Sequence, residues 1–212
     1  MYEFILFDLD GTLINSEKGI SLSLLYAFDK YNISYTGDLK KFIGPSFINS
    51  FPSFLGTDEQ MTDNLIKAYR ENYAKSGVFQ TTLYRGIKDL LVCLKQSGKK
   101  IALATTKPRH FAEIILKSKR IYNCFDFVAG SELDGSITEK DEVLRHIFSN
   151  VSLPLSKSVL IGDTIYDCDG AKKVGLDCIG VTYGFGTKDE LISHGAKQTA
   201  NSVKELKKIL LE

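Results

Sequence analysis

Short apolar runs alternate with longer helical stretches along this chain, a pattern typical of an α/β protein with a parallel sheet. Each run is bounded by residues that favour turns or helix starts, which predicts strands buried inside a sheet. Five such strands are predicted, at Glu3–Asp8, Lys100–Ala104, Phe125–Ala129, Ser158–Ile161 and Asp177–Val181. Helices are predicted near residues 86–97, 108–118, 139–150, 167–174 and 202–211. The sequence therefore predicts a doubly wound α/β fold.

The interval between the first two predicted strands is different, because its roughly 90 residues are too many for one crossover helix. Within it, Ser16–Tyr31 and residues 58–76 have helical patterns. Apolar side chains share one face of the second helix, which favours packing between helices. We therefore expect a small helical cap domain inserted after the first strand of a Rossmann-like core. The expected boundaries are 1–13 and 84–212 for the core and 14–83 for the cap, with a return hinge at 84–86.

The composition is that of an ordinary globular protein, with 43% apolar and 25% charged residues among 212. The formal net charge of +1 gives no global field that would recruit nucleic acid or an acidic membrane surface. No basic segment precedes the short apolar run at the N-terminus, and no run of about 20 apolar residues follows. The four cysteines are far apart and show no metal-binding pairing. We therefore expect a cytoplasmic protein.

Two acids follow the first predicted strand, in the segment Asp8-Leu9-Asp10-Gly11-Thr12. The carboxyl ends of parallel strands form the ligand crevice of an α/β sheet, so Asp8 lies where chemistry is expected. Strand alternation sends Asp8 and Asp10 to the same side, and Gly11 permits a turn that a Cβ would obstruct. The competing interpretation is a solvated strand end followed by a turn.

A second acidic strand end occurs where the apolar run 158–161 leads to Asp163, and Asp167 follows four residues later. Taken alone, these two acids could be a turn residue and a helix-start residue. Close to Asp8, however, they would repel one another unless a cation joins them. Mg²⁺ prefers hard oxygen ligands such as carboxylates, so the sequence predicts Mg²⁺ as the cofactor.

Hydroxyl and basic residues provide a candidate anion site. Thr105 and Thr106 follow an apolar strand and precede Lys107 and a proline that suits a helix start. Hydroxyls and N–H groups at a helix start bind anions, although Thr105 could equally be a strand residue and N-cap. We expect Lys107 to point to solvent or to pack along the surface. A lone lysine such as Lys140 is ordinarily a surface residue. It becomes a candidate site residue only beside the two acidic strand ends and the hydroxyl-bearing strand end described above.

These motifs occur in a defined order: DxDGT, then a threonine after a later strand, then a lysine, then GDxxxD. In this order, and over essentially the whole chain, they resemble the haloacid dehalogenase-like hydrolase superfamily. The helical insertion resembles that family's cap at its commonest position. Segments 130–135 and 180–186 are similar to the phosphoglycolate phosphatase-like group, and some members with such segments resemble 5′-nucleotidases instead.

The resemblance implies a Mg²⁺-dependent phosphatase with an aspartyl-phosphate intermediate. It implies that Asp8 is the nucleophile and that Asp10 is the acid/base group. The implied phosphoryl-binding residues, of which Thr105 and Lys140 are also catalytic, are Gly11, Thr105, Thr106 and Lys140. The implied metal ligands are Asp8, the Asp10 carbonyl, Asp163 and, as a supporting or water-mediated ligand, Asp167.

The expected partner is a small phosphorylated metabolite, with phosphoglycolate, nucleotides and other esters all open, and the expected assembly is a monomer or weak homodimer. A phosphomutase of the same superfamily is the nearest alternative. A non-catalytic phosphoacceptor or interaction domain is an alternative of another class, which the long insertion and GDxxxD disfavour. Roles for Asn15, Arg85 and Gly44–Ser46 stay open. Asn15 stands where the family often has an acid, and the other two could equally be surface and turn residues.

Overall fold

The computed structural model describes residues 1–212, which form two compact units. One unit contains Met1–Asn15 and Leu83–Glu212, and the other contains Ser16–Thr82. The boundaries expected from the sequence differ from these by one or two residues. The first unit carries the main sheet, and the second, called the helical unit below, is built from helices.

The strands are β1 (Phe4–Phe7), β2 (Ile14–Asn15), β3 (Thr82–Leu83), β4 (Lys100–Pro108), β5 (Phe127–Ser131), β6 (Ser158–Gly162), β7 (Asp177–Val181) and β8 (Gln198–Ala200). The α-helices are α1 (Glu17–Lys30), α2 (Phe47–Leu55), α3 (Glu59–Lys75), α4 (Ile87–Gln96), α5 (Arg109–Ser118), α6 (Lys140–Asn150), α7 (Ile165–Val174), α8 (Lys188–Ser193) and α9 (Val203–Leu211). Short 3₁₀ helices occupy Leu39–Phe42, Gly77–Phe79, Tyr122–Cys124 and Leu155–Lys157.

Six strands form one parallel sheet in the order β5-β4-β1-β6-β7-β8, which confirms the predicted doubly wound α/β core. From β1 the chain adds β4 and β5 on one side, then returns to add β6, β7 and β8 on the other. The strand order therefore reverses between β1 and β6. Sheets of this kind bind ligands beyond the carboxyl ends of the strands at such a reversal.

The central strand β1 is apolar along its whole length because neighbouring strands pair with both of its edges. Its four side chains are at most 1% exposed. A parallel strand that is covered on both faces must be almost continuously hydrophobic. The first polar side chain along β1 is consequently Asp8, one residue past its end.

The apolar pattern mislocated or missed several elements. β4 extends to Pro108 rather than Ala104, because its last residues are polar and still keep extended backbone. β5 begins and ends two residues later than predicted. α2, α8 and β8 were not predicted, since α2 contains Pro52, α8 has six residues and β8 is a three-residue strand at the sheet edge.

The helical unit has an aromatic core of its own. Phe28, Phe42 and Phe51 contact one another with ring centroids 5.7 to 6.2 Å apart. The apolar face predicted for the second helix is buried in α3, as packing between helices requires. None of the helices in the chain combines the length and apolar composition that a membrane span needs.

Candidate active site

Asp8 and Asp163 follow β1 and β6, the two neighbouring strands between which the strand order reverses. The Asp8 amide donates to the Ile161 carbonyl at 2.9 Å and so joins the two strand ends. Both acids are buried, Asp8 with 6% and Asp163 with none of its surface exposed. The structure thus brings together the two acidic strand ends that the sequence singled out.

The turn after β1 presses against Asp163. Gly11 has a φ of +84°, which only glycine adopts readily, and its amide donates to the Ile14 carbonyl at 2.8 Å. A Cβ on Gly11 would overlap the Asp163 carboxylate. The neighbouring Thr12 hydroxyl donates to Asp163 Oδ1 at 3.3 Å. Gly11 therefore allows both the turn and the close approach of the two strand ends.

A loop after β7 holds Asp163 from another direction, and the sequence analysis gave this loop no role. The Phe185 amide donates to Asp163 Oδ2 at 2.8 Å, and the Gly186 amide donates to its carbonyl at 3.1 Å. A Cβ on Gly184 would overlap the Asp163 side chain. The two glycines in Gly184-Phe185-Gly186 were the available signal, because glycine often marks a close backbone approach.

Asp167 lies in the first turn of α7, where both of its carboxylate oxygens are engaged. Oδ2 accepts from the Thr164 hydroxyl and amide, both at 3.1 Å, and from the Asp163 amide at 3.2 Å. Oδ1 lies 2.8 Å from Lys140 Nζ. Asp167 therefore caps its own helix and fixes a lysine at the same time.

Lys140 is the first residue of α6 and is buried at the centre of the acidic cluster. Its Nζ donates to Asp8 Oδ1 and to the Ala104 carbonyl, both at 2.7 Å. With Asp167, these contacts use all three N–H bonds of the ammonium group. The sequence-based interest in Lys140 thus corresponds to a buried lysine that joins β1, β4 and α7.

Burial and neighbouring negative charges both raise the pKa values of Asp8 and Asp163. Burial raises the pKa of Asp8 to about 7, even though Lys140 acts to lower it. Burial, followed by the charges of Asp167 and Asp8, raises the pKa of Asp163 well above its ordinary value. Desolvation opposes the charge on Lys140, but the two carboxylates beside it outweigh this and raise its pKa. The cluster therefore retains a firmly protonated lysine, while Asp8 and Asp163 ionise less readily than ordinary carboxyl groups.

The expectation that Lys107 points to solvent is wrong. Its side chain is 6% exposed, and its Nζ donates to Asp10 Oδ2 at 2.9 Å. The error follows from ending the strand at Ala104, because β4 in fact carries Lys107 to the crevice edge. Thr105 is buried and Thr106 is partly buried on the same stretch of β4. The structure thus adds a second lysine to the candidate site.

The charges of this cluster fit a divalent cation. Four carboxylates are offset by only two ammonium groups, which leaves a formal charge of −2; the groups are Asp8, Asp10, Asp163, Asp167, Lys107 and Lys140. Asp8, Asp163 and Asp167 each offer an oxygen within 4.8 Å of the others. Such an all-oxygen set suits Mg²⁺. Asp167 is the poorer ligand, because its Oδ1 pairs with the Lys140 ammonium group and its Oδ2 accepts three hydrogen bonds. Asp163 accepts from two neutral donors, so Asp8 and Asp163 are the better placed carboxylate ligands.

The residues whose roles the sequence left open belong to three different segments of the chain. Asn15 belongs to β2, and Arg85 is exposed just after β3. Gly44–Ser46 precedes α2 in the helical unit, with Ser46 at its N-cap.

Known proteins are similar to this chain in sequence and in fold. The family model of haloacid dehalogenase-like hydrolases matches residues 5–181. A 5′-nucleotidase of Pseudomonas aeruginosa is 36% identical over 211 residues, which cover 99% of this chain and 96% of that protein. The tyrosine-protein kinase PtkA of Mycobacterium tuberculosis is 33% identical over 189 residues, which cover 88% of this chain and 64% of that protein.

A solved structure agrees with these relatives. The crystal structure of a predicted phosphatase from Clostridium acetobutylicum has a TM-score of 0.96 and 39% identity, and the match covers 100% of this chain and 99% of that one. The match includes the whole sheet that carries the acidic strand ends. This chain therefore belongs to the haloacid dehalogenase-like hydrolase family and is a phosphatase.

Proposed function

We propose that this phosphatase hydrolyses a small phosphomonoester with Mg²⁺, through a covalent phosphoryl group on Asp8. The observation that carries the proposal is the buried Asp8 carboxylate, whose Oδ1 accepts a 2.7 Å hydrogen bond from Lys140 beside the other acids. With one oxygen held by an ammonium group, Oδ2 is the oxygen that attacks phosphorus. A carboxylate nucleophile divides one difficult displacement into two easier ones.

Asp8 and Asp10 carry the two steps. In the first, Asp8 Oδ2 bonds to phosphorus while the ester P–O bond breaks, and Asp10 protonates the departing oxygen. In the second, Asp10 accepts a proton from water as the water oxygen attacks phosphorus. The bond between phosphorus and Asp8 then breaks, which releases inorganic phosphate and restores the free carboxylate.

Mg²⁺ would be held by the Asp8 and Asp163 carboxylates and by the Asp10 carbonyl. When bound, it neutralises charge on the carboxylates and on the phosphoryl oxygens. Asp167 contributes by fixing Lys140 and the start of α7. The Phe185 amide and the Thr12 hydroxyl keep Asp163 in place.

The remaining residues bind the phosphoryl group. Lys140 balances the charge of Asp8 and of the phosphoryl oxygens, which is the electrostatic part of catalysis. Thr105 and Thr106, near the carboxyl end of β4, donate hydroxyl or amide hydrogen bonds to the same oxygens. Gly11 contributes the turn after β1 and its close approach to Asp163.

The substrate is a small metabolite, and the helical unit acts as a cap that excludes water during the reaction. A nucleoside monophosphate is the first candidate because a 36% identical relative is a 5′-nucleotidase. Gly44–Ser46 and Arg85 are the positions to examine for substrate choice, and Asn15 for hinge motion. No nucleic acid or membrane partner is proposed, and the protein works as a monomer or weak homodimer.

A panel of phosphomonoesters, assayed for inorganic phosphate with and without Mg²⁺, tests the proposal. We expect Mg²⁺-dependent release from at least one small ester and loss of release in Asp8→Asn. Two results would contradict it. One is isomerised sugar phosphate without free phosphate, which would indicate a mutase. The other is stable phosphorylation of Asp8 without turnover, which would indicate a phosphoacceptor domain.

A further inference from the structure

We propose that Lys107 is a positioning residue that holds the acid/base carboxylate of Asp10 through Oδ2 and reserves Oδ1 for proton exchange with the substrate. This inference rests on the proposed function, because it assigns the two oxygens of the acid/base group to different tasks. Lys107 itself touches neither phosphorus nor the ester oxygen in this account. It acts by fixing the direction of the carboxylate.

The two Asp10 oxygens have unequal environments. Oδ2 accepts from Lys107 Nζ at 2.9 Å, in a pair whose side chains are 6% and 12% exposed. Oδ1 is buried and has no hydrogen-bond partner in the protein. A buried polar atom without a partner costs free energy, so such atoms are rare unless a ligand completes them. The ester oxygen of a bound substrate, and later the attacking water, would provide that partner.

An irregular stretch of β4 backbone brings Lys107 to Asp10. The pairing of β4 with β5 shifts register between Ala104 and Pro108, so the end of β4 departs from a regular ladder. The Thr105 hydroxyl accepts from the Lys107 amide at 3.2 Å within this irregular stretch. Irregularities of this kind redirect side chains at strand ends next to active sites.

A glycine on the neighbouring strand makes room for this irregularity. A Cβ on Gly130 would lie 2.5 Å from the Lys107 carbonyl and 2.8 Å from the Arg109 amide. Only a residue without a side chain lets β5 approach so closely. The position of Lys107 therefore depends on the backbone of both β4 and β5.

The two buried lysines of the site pair with different acids. Lys140 donates to Asp8 and pairs with Asp167, whereas Lys107 pairs with Asp10. Loss of Lys107 should therefore spare the nucleophile and impair only proton transfer. In the first step the proton moves from Asp10 Oδ1 to the ester oxygen as the P–O bond breaks. In the second step Oδ1 takes a proton from water.

The experiment compares two esters in Lys107→Met. p-Nitrophenyl phosphate releases a weakly basic phenolate that needs little protonation, whereas adenosine 5′-monophosphate releases an alkoxide that needs a proton. Hydrolysis of the phosphorylated Asp8 is common to both esters, so the comparison uses kcat/KM, which reports only the first step. We expect kcat/KM to fall about 100-fold or more for the alkyl ester and less than about 10-fold for the aryl ester.

Four further variants serve as controls. Lys100→Met makes the same substitution at an exposed position on the same strand and should leave both rates unchanged. Lys107→Arg keeps a cation near Asp10 and should restore part of the alkyl-ester rate. Asp10→Asn should reproduce the selective loss, and adding Lys107→Met to it should lower the rate less than about threefold further.

Equal losses for the two esters, or additive losses in the double variant, would overturn the inference. If Lys107→Met does not fold, the same comparison is made in Lys107→Arg. An equal loss of rate for the two esters in that variant would also overturn the inference. Asp8→Asn separates this outcome from failure of the proposed function. An active Asp8→Asn defeats the nucleophile assignment, whereas an inactive Asp8→Asn with an unselective Lys107→Met defeats only the role of Lys107.

Discussion

At the carboxyl edge of the sheet, five buried ionisable side chains lie together with the partly buried Asp10, whereas the helical unit is filled by aromatic rings. Burying charge is costly, and the carboxylates outnumber the lysines. Burying aromatic rings is favourable in itself and needs no ion. The stability of the acidic edge therefore depends on the cations that neutralise it, as expected for a site of chemistry. The stability of the aromatic core does not depend on a ligand.

The largest effect is expected from Lys140→Met, which leaves Asp8 and Asp167 buried without their cation. Breaking a buried ion pair in this way should lower the free energy of unfolding by about 3 kcal/mol. Phosphate release should fall about 10³-fold, because the electrostatic support of Asp8 is lost. Denaturant unfolding and a phosphate assay measure the two effects.

Lys173→Met is the matched control, because Lys173 pairs with Asp141 at 3.1 Å while 59% of its side chain is exposed. An exposed pair contributes little, so the expected loss is about 0.5 kcal/mol or less, with unchanged activity. Equal losses in the two lysine variants would contradict the contrast between buried and surface charge.

Phe51→Ala tests the aromatic side of the comparison. Phe51 is fully buried, and its removal should lower the free energy of unfolding by about 3 kcal/mol through lost packing and the resulting cavity. The loss should be the same with and without Mg²⁺. Phe54→Ala, at a position 39% exposed, should cost about 1 kcal/mol or less. A Mg²⁺-dependent loss in Phe51→Ala would break the distinction between the regions.

Asp163→Asn should stabilise the protein in the absence of Mg²⁺. Burial and the neighbouring acids raise the pKa of Asp163 in the folded protein above its value in the unfolded chain. The folded protein therefore loses stability as the pH rises above the ordinary pKa of an aspartate, because ionised Asp163 is disfavoured in the fold. Removing the charge should raise the free energy of unfolding by about 1 kcal/mol at neutral pH and by less at acid pH. Thermal unfolding across pH measures this gain. Stabilisation by Mg²⁺ should be lost in the same variant.

Asp177→Asn should show the opposite sign and the smallest effect. Partial burial opposes ionisation of Asp177, but hydrogen bonds from Lys197 and Tyr2 outweigh it and lower the pKa of this acid. Its ionised form therefore adds stability that is present above its ordinary pKa and is lost as pH falls. We expect a loss of about 0.5 kcal/mol at neutral pH that disappears in acid. A gain at neutral pH would contradict this sign.

Elements buried on both faces were predictable, because burial imposes an unmistakable apolar run. β1, β6 and β7 were placed within one residue at each end, and those runs also located Asp8 and Asp163. Elements whose formation depends on their neighbours were not predictable. β8 has only three residues and exists because it pairs with β7.

The residues of the candidate site likewise fall into those that the sequence identified and those that it did not. Asp8 and Asp163 stand at strand ends, and Lys140 at a helix start, so local pattern and order along the chain were enough to select them. Lys107 was assigned to solvent because its burial arises from the register shift of β4 and from Gly130 on another strand. No local pattern contains that information. The support of Asp163 by the Phe185 amide is likewise a backbone contact that side-chain identity does not reveal.

The most direct test of the central claim is detection of the phosphoryl group on Asp8. Wild-type protein is mixed with Mg²⁺ and a substrate from the ester panel, quenched in acid during turnover and analysed by peptide mass spectrometry, with Asp8→Asn as the control. The account predicts one phosphoryl group on the peptide that contains Asp8 in the wild type and none in the variant, which should also release no phosphate. Full phosphate release by a folded Asp8→Asn protein, or a phosphoryl group on another residue, would contradict it.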